Sequence, residues 1–184
     1  MDARADRILD AAYVLFAQHG FKKVTMSDIA EASEMSRPTL YAAFASKEEV
    51  FGGIAARQIV RSEAELVLRL QKARTLEARL GALFDIWIVE PFASVIDSPA
   101  ALDLLGNAAV YAPKECGELY ARFEKHLATL LEEEKSGGKK RLGPKDLAHI
   151  MMLATRGLKG TTTSLKELKR LTDGLIAMAI ATLR

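Results

Sequence analysis

TMSDIAEASEMSRPTLYAAFASKEEVF, residues 25–51, decides the fold of this 184-residue chain. Thr25 followed three residues on by Asp28 is the hydroxyl-x-x-acid pattern that satisfies free N–H groups at a helix start. Ile29, Ala30 and Ala32 then supply a small apolar face, and Ser33, Glu34 and Met35 form a turn. Ser36 caps a second helix that carries Arg37, Pro38, Thr39, Leu40, Tyr41 and Phe44. Pro38 falls in the first turn of that helix, where its missing N–H breaks no hydrogen bond. Leu40 and Phe44 are four residues apart and face inward together, which leaves Arg37, Thr39 and Tyr41 turned elsewhere. Ser46 to Glu49 is a second capping box, whose N–H groups and Lys47 suit a phosphate. Two short helices joined by a tight turn make a helix-turn-helix, whose second helix lies in the major groove of DNA. Donor side chains at the start of such a helix read base edges and phosphates.

Upstream, RADRILDAAYVLFAQHGFKKVT (residues 4–25) completes a pattern in which Ile8, Leu9, Ala11, Ala12, Leu15, Phe16 and Gly20 recur at helical spacing. Together the two stretches resemble the DNA-binding head of TetR-family transcriptional regulators. The resemblance implies an all-α fold of about nine helices. It places an N-terminal three-helix helix-turn-helix domain over residues 1–50 and a helical effector-binding and dimerisation domain over 51–184. It implies base or phosphate contacts from Thr39, Tyr41 and Lys47, and with the capping residues the expected DNA-binding set is Thr25, Ser36, Arg37, Pro38, Thr39, Tyr41 and Lys47. Three positions depart from the family pattern. Glu34 stands where glycine is usual, and a non-glycine residue at positive φ is uncommon and costly. Pro38 stands where glycine is more common. Ala42 and Ala43 replace residues that are often His or Tyr, so contacts made there by relatives do not carry over.

Charge argues partly against DNA. Residues 1–50 hold six Lys and Arg against eight Asp and Glu, a net of −2, while the whole chain carries +2. A DNA-binding head is ordinarily basic. The distribution offsets this, because Met35 to Lys47 contains no acidic residue. Affinity that depends on phosphate neutralisation is expected to be weak. Cys116 is the only cysteine, so no intramolecular disulfide forms. The N-terminus lacks the apolar stretch of a signal peptide and no segment is long and apolar enough to span a membrane, from which a cytoplasmic location is expected.

Beyond the head, the periodicity is helical and contains no convincing strand. A long helix is expected from Ser46 to about Lys72, then one from Thr75 toward Glu90, where Pro91 kinks or stops it. Pro99, Pro113 and Pro144 each suit the first turn of a later helix. Residues 136–143 read as a loop, and Ser164 begins the last helix. Leu147, Ile150, Met151, Ala154 and Leu158 form one apolar stripe, and the final helix is apolar nearly all round from Leu175 to Leu183. Apolar surface on every side calls for a second copy, so a homodimer is expected through Leu147, Ile150, Met151, Ala154, Leu158, Leu168, Leu171, Leu175, Ile176 and Ala179. Two recognition helices related by a two-fold axis would read a palindrome.

Phe84, Trp87, Phe92, Tyr111, Tyr120 and Phe123 concentrate half of the aromatic residues, the single Trp included, in the middle of the chain. They are candidates to line a pocket for a small, largely apolar effector, although such residues also fill ordinary cores. Lys135, Lys139, Lys140, Arg141 and Lys145 form a basic run that reads as a solvated loop. Gly52 and Gly53 offer a bending point in the long helix. No phosphate loop, nucleophile elbow or metal-spaced His/Cys cluster occurs, so neither an enzyme nor a metal or other cofactor is expected. The sequence reads as a ligand-responsive repressor that binds a palindromic operator. The alternative is a helical small-molecule-binding or protein-interaction module that has lost DNA binding.

Overall fold

The structure is a computed structural model and describes residues 3–134, 142–162 and 164–183. The described residues are helical, in the order α1 (Ala3–His19), α2 (Met26–Ala32), α3 (Arg37–Ala43), α4 (Lys47–Lys72), α5 (Leu76–Phe84), a π-helical stretch (Asp85–Val89), α6 (Glu90–Ala93), α7 (Pro99–Gly106), α8 (Ala108–Tyr111), α9 (Pro113–Glu132), α10 (Pro144–Thr161) and α11 (Leu165–Leu183). The fold is all-α, as expected. If residues 76–93 count as one rod and the single turn α8 is set aside, the described residues hold the nine helices expected. Among them no helix is long and apolar enough to cross a membrane.

The starts of these helices follow from local chemistry. Thr25 Oγ1 accepts from the N–H of Asp28 at 3.2 Å, and the Asp28 carboxylate accepts from the N–H of Thr25 at 2.8 Å. That reciprocal pair holds Asp28 below its ordinary pKa, chiefly through the backbone hydrogen bond from Thr25. Ser36, Thr75 and Ser98 cap α3, α5 and α7 by accepting from N–H groups three residues on. Pro91 neither stops its helix nor ends it at Glu90. It lacks an N–H for the carbonyl of Trp87, and the ladder instead slips by one residue, Glu90 N–H donating to the carbonyl of Asp85. A π-helical turn is a recognised way to absorb such a mismatch.

The chain divides into two compact units. The first takes residues Met1–Val60 together with Val95–Gly117. The expected boundary at residue 50 therefore falls inside α4, and the reason lies in the packing. Gly53 sits against Leu9 and Phe44, Arg57 reaches Asp6 and Asp10, and α7 packs along α1, where Ser98 Oγ donates to the carbonyl of Ala17 at 3.0 Å. Four rings form the heart of this unit. Phe21 stacks on Tyr111 at 4.0 Å between centroids, and Phe16 and Phe51 close the cluster edge-on or tilted at 5.2–6.0 Å. Pairs of this geometry add about 0.5–1.5 kcal/mol to the area they bury.

The second unit takes residues Arg61–Ser94 and Glu118–Arg184. Here α11 packs on α5, on the π-helical stretch and on α10. Leu80, Leu83, Phe84, Ile88, Phe123, Leu127, Leu131 and Leu168 are buried to 1 % exposure or less. Arg69 pairs with Glu65 and Glu90, and Arg79 with Glu133, across the rim of this core.

Candidate nucleic-acid interface

The turn between α2 and α3 keeps a glycine-type shape without glycine. Glu34 has φ of +55°, the one non-glycine residue in the left-handed region among those described. Met35 N–H donates to the carbonyl of Ala30 at 2.9 Å, and Glu34 N–H to that of Glu31 at 3.0 Å. This double closure satisfies the last carbonyls of α2 with Glu34 at the position glycine ordinarily fills. Arg7 of α1 completes it, since its Nη2 donates to the carbonyl of Ser33 at 3.2 Å and to the Glu34 carboxylate at 2.8 Å. The angle at which α3 leaves the turn is thereby fixed from α1 as well as from α2.

On α3, Leu40 is buried and Phe44 half-buried, as their spacing requires, while Arg37, Pro38 and Tyr41 are exposed. Tyr41 shows 46 % of its surface. Thr39 is half-buried, and its hydroxyl lies 2.7 Å from that of Ser36, which also caps the Thr39 N–H. Ser36 and Thr39 thus hold one another, and the groups left free to reach outward are Arg37 and Tyr41. Thr25 and Ser36 are exposed but occupied as caps.

Lys47 is placed differently from a free cation. Its Nζ donates toward the carbonyls of Phe21, Val24 and Lys22 at 2.9, 3.2 and 3.4 Å and lies 4.6 Å from the centre of the Phe21 ring. An ammonium has three donors, and this arrangement directs all of them at the turn between α1 and α2. Lys47 therefore ties the start of α4 to the end of α1. Arg57, with its side chain 7 % exposed, makes a second tie, bonding Asp6 at 3.3 Å and Asp10 at 2.7 Å. Local sequence offered no signal for that tie, because the partners lie 47 and 51 residues away.

The residues grouped by sequence as effector contacts fall into both units. Phe84, Trp87, Phe92 and Phe123 are buried in the second, with Phe84 and Phe123 edge-on at 5.2 Å, and Tyr120 is half-buried beneath the cations of Arg156 and Lys159. Tyr111 belongs to the first unit, stacked on Phe21. The residues grouped as a dimer face also separate. Leu147, Met151, Leu168, Ile176 and Ala179 are buried within the second unit, whereas Ala154, Leu158, Leu171 and Leu175 are half-buried and Ile150 is exposed. Leu153 and Met178, absent from the sequence-derived set, are exposed at 49 % and 60 %. With Ile150 and Gly157, and with Leu171, Gly174 and Leu175, they complete an outward apolar stripe on each of α10 and α11. Lys135, Lys139, Lys140 and Arg141 lie outside the described residues.

Residues 8–54 match the family model of bacterial regulatory proteins, tetR family. Over 188 aligned residues the chain is 29% identical to the HTH-type transcriptional repressor ComR of Escherichia coli K12, covering 97% of this chain and 87% of that protein. In fold it is similar to a TetR-family regulator from Rhodococcus sp. (TM-score 0.75, 20% identity, 96% of this chain and 98% of that one). It is equally similar to the fatty acid degradation regulator FadR from Bacillus halodurans (TM-score 0.75, 19% identity, 96% and 95% of the two chains). The head therefore matches the tetR family of bacterial regulatory proteins, and the fold along the chain is that of solved TetR-family regulators.

Proposed function

We propose that this protein is a transcriptional repressor that binds a palindromic operator as a homodimer and releases it when a small, largely apolar molecule enters the second unit. The observation that carries the reading is α3 itself. It presents Arg37 and Tyr41 outward from a helix whose inward side is sealed by Leu40, on a stretch from Met35 to Lys47 that bears no acidic residue. Arg37 and Tyr41 are assigned to base edges, and Thr25, Ser36, Pro38, Thr39 and Lys47 to the backbone and to positioning α3. The similarity to a protein named as a repressor supports the sign of the regulation. The exposed apolar stripes on α10 and α11 support self-association, since large apolar surface on a chain of this kind calls for a partner. The buried aromatic group of Phe84, Trp87, Phe92 and Phe123 supports an apolar effector. The setting is the cytoplasm, where the DNA is.

A second reading, a helical binding module that no longer reads DNA, rests on the net charge of −2 over residues 1–50. Selection of bound duplexes from a random pool at about 50 mM salt separates the two, because phosphate contacts still contribute strongly there. An enriched palindrome whose recovery falls with Arg37→Ala and Tyr41→Ala supports the repressor. A folded dimer that enriches nothing moves the binding module to first place.

A further inference from the structure

One polar atom in the second unit stands out. Trp87 is 2 % exposed, and its indole Nε1 has no acceptor among the described residues. An indole N–H is a donor and nothing else, so a buried one wants an acceptor and keeps an unmet cost without one. Nearly all such groups in folded proteins are partnered, and the exceptions call for an explanation. Trp87 also sits in the π-helical stretch, the irregular turn that Pro91 imposes, and turns of this kind recur at functional sites.

The surroundings define what could satisfy it. The ring of His126 packs 5.8 Å from that of Trp87, and His126 Nε2 lies 2.9 Å from the carboxylate of Glu63. The side chains of His126 and Glu63 are 29% and 27% exposed, so the ring beside the indole reaches the surface. Phe84, three residues before Trp87, and Phe123, three before His126, are buried and pack edge-on against one another at 5.2 Å. The cation nearest by bonding, Arg122, is engaged by Glu118 and Glu63. Asp85, on the same turn, is half-buried, and burial raises its pKa. Asp85 already faces Lys169 and the Arg69 that Glu65 and Glu90 hold, and Glu63 holds Arg122. The cations near the turn are thus matched by carboxylates, and an anionic guest would be an uncompensated buried charge, which costs far more than an unpaired dipole.

We propose that the indole N–H of Trp87 is the specificity donor of the effector site and that the effector is a neutral, mostly apolar molecule bearing a carbonyl oxygen. This rests on the reading that the second unit takes an effector, and it narrows that effector's class. The apolar body would lie against Phe84 and Phe123 while the oxygen accepts from Trp87 Nε1, entering past His126.

Because Trp87 is the only tryptophan, ¹⁵N-labelled protein gives a single indole N–H cross-peak that reports this atom alone. The probes are hexan-2-one, cyclohexanone and acetophenone, each against its hydrocarbon (hexane, cyclohexane, ethylbenzene), with hexanoate as the charged comparator. At least one ketone should shift the peak downfield saturably and bind about three- to tenfold more tightly than its hydrocarbon, the ordinary net worth of one hydrogen bond. In Trp87→Phe, checked for folding by its amide spectrum, that ketone preference followed on ligand signals should fall to near one. The proposal is overturned if no ketone moves the peak, if ketone and hydrocarbon bind alike, if hexanoate binds best, or if the unliganded peak shows exchange with a long-lived bound water. No DNA is present in this experiment. Ketone binding that leaves operator affinity unchanged in a separate DNA titration would sink the ligand-responsive reading and leave Trp87 Nε1 as the donor of a ketone-binding site without that regulatory role.

Discussion

Arg7 of α1 and Glu34 of the turn meet at 2.8 Å, and the same guanidinium holds the carbonyl of Ser33. The ion pair itself is exposed, with side chains 56% and 83% accessible, so it contributes little to stability. The backbone of Glu34 at φ +55° matters more, because a side chain in the left-handed region costs about 1 kcal/mol or more. Glu34→Gly is therefore expected to stabilise the protein by about 0.5–1 kcal/mol, after allowing for glycine's freer unfolded state. Thermal unfolding should rise by about 1–4 °C. Glu34→Ala loses the ion pair without relieving the backbone and should show no rise; a rise equal to that of glycine would mean the strain is not there.

Lys47 suits a phosphate by its place in the sequence, yet its ammonium is directed at three carbonyls of its own chain. Removing it leaves those carbonyls short of a donor, and Lys47→Ala is expected to destabilise by about 1–2 kcal/mol in urea unfolding. Operator binding divides the roles. If Lys47 only ties the turn, affinity falls through lost order and the dependence on salt keeps its slope. If it also neutralises a phosphate, the slope decreases by about one.

Much of the first unit is legible in the sequence because its signals are local. Thr25 with Asp28, Ser36 with Pro38, and Leu40 with Phe44 each act within one turn of helix, and each appears where the spacing puts it. The fold of the second unit is legible only as a run of helices. Tyr111 shows why: its composition class suits an effector pocket, but which unit claims it depends on Phe21, ninety residues earlier. Arg57 is invisible for the same reason. On α10, periodicity identifies one apolar stripe, yet Leu147 and Met151 turn inward while Ile150 and Leu153 turn out. A helix that is apolar on two sides cannot disclose which side meets its own chain.

The pair Gly52-Gly53 has the composition of a bending point, but α4 runs through it unbroken from Lys47 to Lys72. Packing accounts for the second glycine. A Cβ on Gly53 would lie 2.9 Å from Leu9 Cδ2 and 3.1 Å from Phe44 Cε1, both in the first unit's interior. Gly53→Ala is expected to cost about 1–3 kcal/mol by overpacking. A Cβ on Gly52 meets the carboxyl end of Glu115 at 3.2 Å, which a flexible side chain can vacate. Gly52→Ala should be neutral or stabilising by up to about 1 kcal/mol, the helix-propensity gain. Equal effects from the two substitutions would show that backbone stiffness, not contact, governs this stretch.

Asp85 is held above its ordinary value of 3.8 mainly by burial, with Glu90 and Asp173 adding to the shift and Lys169 and Arg69 opposing it. A carboxyl whose folded pKa is raised keeps its proton longer in the folded state. Stability is then undiminished below the unfolded pKa and falls as pH climbs from about 4 to the folded value. Asp85→Asn removes that fall. The difference in unfolding temperature between variant and parent should shift in the variant's favour as pH climbs above about 4 and level off once the folded carboxyl has ionised. A difference that is flat across this range would mean that burial does not bear on Asp85 as described.

Ile150 and Met178 expose 50% and 60% of their surface on α10 and α11, so a charge placed there meets water if the chain is alone and apolar surface if it is paired. The double variant Ile150→Glu, Met178→Glu should leave the helical content of each chain unchanged. It should raise the dimer dissociation constant by at least about 100-fold, the cost of burying unpaired carboxylates at an interface. Sedimentation velocity reads the change directly. Because a palindrome is bound by two heads at once, operator affinity at fixed protein concentration should fall with dimerisation, and recover at concentrations that restore the dimer. A dimer that persists unweakened would place the two-fold axis on another surface and leave these stripes without that role.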